Sequence, residues 1–353
     1  MVVDRLYKRR SNCFLLHFVI TFVRRRASAY NTGLLVLSLR TTPRPYASAT
    51  LGPAAMMTPM LFSVSYAGYW GQHRLSLPEF FLKAAALGYR SVELGAKRPH
   101  LSPLDYRDAS ALAELKQAAA SAGVEIGTIA AYTDFTVGQG SPEVPLVEMQ
   151  VAYVREAARM AQALGAKIVR VFSGYYTQPS AYQQDWNRCV AALRECATVA
   201  AEYGVVVGLQ NHHDVGVSVE AYVELLDEVN HPNLRAMFDP WSIALHGANL
   251  YEAAKRLAPR MVQTTLADYV RLPRFAYQQH LVNYEKLEPD AVRAVPLGDG
   301  FIDYPAFFAG LKEGGFHGYV AYEMCSQLRG GGEEANLDAT ARKSLERIEA
   351  WSA

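Results

Sequence analysis

Residues 204–214 read Gly-Val-Val-Val-Gly-Leu-Gln-Asn-His-His-Asp. Gly204 closes a helical stretch, and Val205 to Leu209 is apolar at every position. A strand buried on both faces has that pattern, whereas a half-exposed strand alternates. Polar residues begin at Gln210, where the strand should end. A helix-closing glycine, a short apolar strand and a polar strand end then recur along the chain, and this recurrence decides the fold.

Upstream, a helix is expected over 182–203 and a strand over 167–172, ending in Arg170, Ser173 and Tyr175. Before these come a helix at 146–164 closed by Gly165 and a strand at 124–131 leading to Tyr132 and Asp134. A helix at 109–122 closed by Gly123 follows a strand at 90–94 that carries Glu93. The first strand is read at 61–66, and the first helix at 76–87. That helix opens with Ser76 and Glu79 in capping-box spacing and Pro78 in the first turn, and Gly88 closes it. Downstream, strands are expected at 234–238, 261–266 and 319–323, with helices at 218–229, 250–257, 304–312 and 337–351. Residues 268–296 read as a long loop carrying Tyr269, Phe275, Tyr277, His280 and Tyr284. A loop of that length is usually functional, as a lid or a subunit contact.

Eight strand–helix units in about 290 residues fit an α/β fold of the (β/α)8, or TIM-barrel, class. An open doubly wound sheet is the alternative, but no GxGxxG follows an early strand. The strand ends of a barrel line its C-terminal mouth, so chemistry is sought there. The candidates are Glu93, His100, Tyr132, Arg170, Gln210, His212, Asp239, Trp241, Asp268 and Glu323.

The chain has 353 residues, with 35 Lys and Arg against 34 Asp and Glu, and 50% are apolar. A near-neutral balance excludes the clustered cationic face of a nucleic-acid binder, and the apolar content excludes global disorder. Four cysteines without a CxxC pair exclude a disulfide framework and a thiolate zinc site. Residues 1–60 stand apart, with nine bases against one acid. Their apolar run from Cys13 to Val23 is shorter than the roughly 20 residues that span a bilayer. This basic extension reads as a targeting segment or as a mis-assigned start before Met56, Met57 or Met60, and it is set apart from the barrel assigned to 61–353. The barrel is expected to be cytoplasmic, or exported if the extension is a genuine targeting signal, and to have no membrane contact of its own.

The strand ends resemble the xylose isomerase-like TIM-barrel family of sugar isomerases and epimerases. Gly208-Leu209-Gln210-Asn211-His212 stands where that family has a strand ending Glu-Asn-His. Phe238-Asp239-Pro240 matches its sixth strand end, Gly298-Asp299-Gly300 its Gly-acid-Gly turn, and Gly318 to Glu323 its closing strand. The resemblance implies a divalent ion, Mn²⁺ or Mg²⁺, held here by Gln210, Asp239, Glu323 and His212, since oxygen-rich ligation suits such hard cations. It also implies proton abstraction beside a sugar carbonyl, with Glu323 as base and His212 completing the site or acting as acid. Glu93, His100, Tyr132, Arg170, Trp241 and Asp268 would contact a small-molecule sugar or sugar derivative, and a homo-oligomer is open. Gln210 and Thr265 replace the family's glutamate and histidine. These two departures leave room for a lyase, a hydrolase of the endonuclease IV type, or a sugar-binding protein without catalysis.

Overall fold

The computed structural model describes residues 57–138 and 143–353. The basic extension lies outside the described residues up to residue 56. Eight strands are parallel: β1 (Thr58–Phe62), β2 (Ser91–Gly95), β3 (Glu125–Ala130), β4 (Ile168–Val171), β5 (Val206–Gln210), β6 (Leu234–Met237), β7 (Gln263–Leu266) and, last in the chain, β10 (Tyr319–Tyr322). They pair in the order β6-β5-β4-β3-β2-β1-β10-β7. A parallel bridge between Ala236 and Met261, with Val262 N donating to Ala236 O at 2.9 Å, closes the ring between β6 and β7. The expected TIM barrel is therefore present.

The helices α1 (Leu77–Leu87), α2 (Ala109–Ala122), α3 (Leu146–Leu164), α4 (Tyr182–Ala201), α5 (Val219–Val229), α7 (Leu250–Leu257), α8 (Tyr304–Glu313) and α9 (Glu334–Ser352) accompany the strands. A short α6 (Pro240–Ala244), absent from the sequence reading, follows β6 directly. The joints are built as the glycines suggest. Gly165 adopts φ of +88°, a left-handed turn that a side chain would strain, and its N–H closes α3 just before β4. At the head of α1, Glu79 accepts from both the Ser76 amide and hydroxyl, at 2.8 and 2.7 Å. Alternate strand residues such as Val92, Val169, Val207 and Val320 join helix residues such as Phe80, Val154, Leu193 and Leu311 in one continuous buried core.

Two expectations change. The first strand begins at Thr58, so its opening residues fall in the stretch assigned to the extension. It ends at Phe62 because Ser63–Tyr66 turn into a 3-10 helix, and Ser63 Oγ accepts from Gly95 N on β2. The long loop is instead an antiparallel arm, β8 (Asp268–Gln278) and β9 (Asn283–Val295). Its base is buried through Tyr269, Ala294 and Val295, while Phe275, Tyr277 and Tyr284 lie exposed toward the tip. Among the described residues no helix is long and apolar enough to cross a membrane.

Candidate active site at the barrel mouth

The barrel interior is polar from its middle upward. Thr128 Oγ1 on β3 donates to Gln263 Oε1 on β7 at 2.5 Å, and Gln263 Nε2 donates to Glu93 Oε2 on β2 at 2.6 Å. Toward the mouth, Arg170 Nη1 donates to Gln210 Oε1 at 2.9 Å, and Gln210 Nε2 donates to Asp239 Oδ2 at 3.0 Å. The other oxygen of Asp239 accepts from Trp241 N at 2.8 Å and so caps α6. Asn211 fixes the same corner: its side chain donates to Asp239 O at 3.0 Å and accepts from Asp239 N at 2.6 Å.

Arg170 is the hub of this cluster and is only 2% exposed. Its guanidinium lies 4.4 Å from the Phe172 ring centre, 4.7 Å from Tyr132 and 5.4 Å from Phe62. Such faces suit a delocalised planar cation. Nε is 3.9 Å from Glu93 Oε1, beyond hydrogen-bond reach, and both atoms lack a hydrogen-bond partner among the described residues. Burial opposes its charge, but Tyr132, Glu93 and Glu323 more than offset this and hold its pKa above the ordinary value.

The carboxylates are tuned upward. Burial lifts Glu93 to about 7 against the pull of Arg170 and the bond from Gln263. Asp239 rises to about 6 by burial, opposed by its bonds from Gln210 and Trp241. Glu323 rises to about 8, through burial and then through the charges of Asp239 and Glu93, with Arg170 opposing. All three therefore share one field around Arg170. Glu323 is the most accessible, at 8% exposure against 2% for Asp239 and 0% for Glu93.

His212 is half-buried, with Nδ1 3.4 Å from Ser242 Oγ and its ring 5.0 Å from Trp241 and 5.3 Å from Phe172. Burial pushes it down to about 3, helped by His213 and Arg170, so the ring is neutral at neutral pH and has no imidazolium proton to give. Trp241 packs between His212 and Tyr269, and its Nε1 has no partner among the described residues. Tyr132 carries Arg170 on its ring together with Lys97, whose Nζ is 3.6 Å from the centroid.

Two expected contacts lie elsewhere. His100 is buried, with Nδ1 3.1 Å from Ser63 Oγ and Nε2 3.1 Å from Leu75 O. Both ring nitrogens are used inside the β1–α1 connection, which leaves none for a substrate. Asp268 accepts from the amides of Tyr269, Gly298 and Gly300, each at 2.9 Å, and so ties the Gly-acid-Gly turn to the foot of the arm. A Cβ on Gly300 would fall on Asp268 Oδ1, which explains the glycine there. The sequence reading gave no site role to Gln263, Thr128 or Phe172. Gln263 had a visible signal, a polar residue directly after the apolar Met261 and Val262. Thr128 and Phe172 had none.

The profile of the xylose isomerase-like TIM barrel matches residues 81–351. The chain belongs to that family. An inosose dehydratase of Lacticaseibacillus casei is 21% identical over 192 residues, 51% of this chain and 64% of that protein. The rhizopine catabolism protein MocC of Rhizobium meliloti is 26% identical over 148 residues, 41% and 45% of the two chains. The chain thus spans less than two thirds of the length of either relative. Among solved structures, D-psicose 3-epimerase with D-tagatose from Clostridium cellulolyticum H10 superposes with a TM-score of 0.63 over 83% of this chain and 99% of that one. At 18% identity, that likeness concerns the fold alone.

The family resemblance implied a divalent ion on Gln210, Asp239, Glu323 and His212, and the groups present do not fit one. The neutral Gln210 carbonyl accepts from a guanidinium, whose positive charge opposes a cation beside it, and the Gln210 amide holds Asp239. Thr265 offers a hydroxyl where the family has an imidazole, and that hydroxyl is buried without a partner among the described residues. Among the described residues, no three His, Cys, Asp or Glu side chains form a group that could hold a metal.

Proposed function

We propose that this chain is an enzyme that removes a proton from the carbon next to the carbonyl of a sugar or sugar-derived polyol, leading to isomerisation or epimerisation. One observation carries the reading: three buried carboxylates, all with raised pKa, share the field of a single guanidinium, which touches one of them directly and another through Gln210. Perturbed carboxylates gathered in a barrel mouth are what proton-transfer chemistry requires. Glu323 is the base in its ionised form, which prevails as pH rises through about 8; it lies outside the Arg170–Gln210–Asp239 chain and is the most accessible of the three. Glu93, whose Oε1 lies 3.9 Å from Arg170 Nε, returns the proton. Half-buried His212 and Trp241 form the wall of the site.

Elimination of water after the same first step is the second reading, favoured by the likeness to inosose dehydratase. The test is proton NMR of ketoses, aldoses and inososes incubated with the protein in D₂O, with and without added Mn²⁺ and Mg²⁺. Deuterium should enter the carbon beside the carbonyl of at least one compound. A compound that binds but never exchanges, under any condition, would mark a sugar-binding protein and refute catalysis.

A further inference from the structure

We propose that Arg170 replaces the divalent cation expected of this barrel: its guanidinium receives the oxygen that becomes negative, and the enzyme works without a bound metal. The inference rests on the proton-abstraction reading above.

The two departures at the expected ligand positions have one common explanation. Gln210 links a cation to an anion, accepting from Arg170 Nη1 at 2.9 Å and donating to Asp239 Oδ2 at 3.0 Å. A glutamate at 210 would set a second carboxylate against Asp239 with no N–H to offer it. Thr265 likewise gives up an imidazole lone pair. The first change removes a negative charge from the ligand set and the second an imidazole, while Arg170 brings a permanent positive charge into the same space. A divalent ion there would meet that charge at close range and in low dielectric.

The guanidinium is also correctly equipped. Nη1 is bound to Gln210, and Nη2 makes a 3.5 Å bond to Ala131 O. Nε remains buried and unpartnered among the described residues. A guanidinium held in place by three aromatic faces is a fixed charge, preorganised for a developing oxyanion. In the step, the C–H bond next to the carbonyl breaks and Glu323 gains the proton. The bonding pair forms the C=C of the enediolate, and the carbonyl π pair moves to oxygen, which accepts from Arg170. Reprotonation on another face or atom restores the carbonyl. No oxidant, reductant or co-reactant is needed.

The test uses full-length wild-type protein dialysed against a chelator. Calorimetric titration with Mn²⁺ should show no stoichiometric site, and the deuterium-exchange rate should be the same before and after chelation. Arg170→Gln should lower that rate by about 100-fold or more, with Arg170→Met, which also removes the charge, tested should the glutamine variant fail to fold. One equivalent of bound Mn²⁺, exchange that needs added metal, or full exchange by a folded Arg170 variant would overturn the inference. Metal-dependent exchange would sink it and leave the proton-abstraction reading standing. No exchange under any condition would sink that reading, and the Mn²⁺ titration would still decide whether Arg170 has displaced the ion.

Discussion

Glu323 is where the proposed chemistry is most exposed to test. Exchanging its carboxylate for an amide keeps the shape and removes the proton acceptor. Glu323→Gln should cost about 10³-fold in turnover and leave the thermal midpoint at neutral pH almost unchanged, since burial already holds most of the Glu323 carboxyl protonated there. Steady-state rates and a thermal melt check both. His100 carries a separate prediction, about stability. Burial holds its pKa at about 4, against an ordinary 6.5. Between those values the unfolded chain binds more protons than the folded one, so the His100 contribution is complete above pH 6.5 and is lost as pH falls toward 4. The stability gap between wild type and His100→Gln should therefore widen with pH over this window, on the order of 3 kcal/mol, as read by urea denaturation. A flat difference would mean that the ring is solvated. Glu93, Arg170, Gln210, Asp239 and Glu323 were all legible as polar residues ending apolar strands. The inward turn of His100 and the amide partners of Asp268, some thirty residues away, were not, because nothing local in the sequence states where a loop side chain points.

At the scale of elements, the arm is the main surprise. Pro273 and Pro289 lie within its two strands, although proline cannot donate to a ladder. A two-stranded arm tolerates them: the register shifts between Leu272 and Arg274, around Pro273, and each strand has only one neighbour at its proline. Exposed Phe275, Tyr277, Leu281, Val282 and Tyr284 contribute little to the core. Replacing residues 272–291 by an Asn-Gly turn, which joins the paired Arg271 and Val292, should leave the melting temperature of the barrel almost unchanged. A large fall would show that the arm supports the fold. The foot of the arm behaves differently. Gly300→Ala drives a methyl group into the Asp268 carboxylate and should destabilise by roughly 3 kcal/mol, measurable by chemical denaturation. An unchanged midpoint would show that the turn can relax.

For the whole molecule, the glycine-closed helices and apolar strands were enough to give the barrel, because each unit's pattern is local. The polar interior was not legible. Gln263 meets Glu93 across 170 positions of sequence and Thr128 across 135, and those meetings exist only once the ring has closed. The same holds for Arg170. Alone it reads as a polar strand end, and only the closed barrel sets it between Gln210 and Glu93 in place of an ion. The most direct measurement is a crystal structure of the full chain with a sugar-derived hydroxamate, a planar mimic of the enediolate. The expected density has the hydroxamate oxygens within hydrogen-bond distance of Arg170, its carbon chain beside Glu323 and no metal between them. A hydroxamate held through a divalent ion, or seated away from the barrel mouth, would refute this assignment of the chemistry.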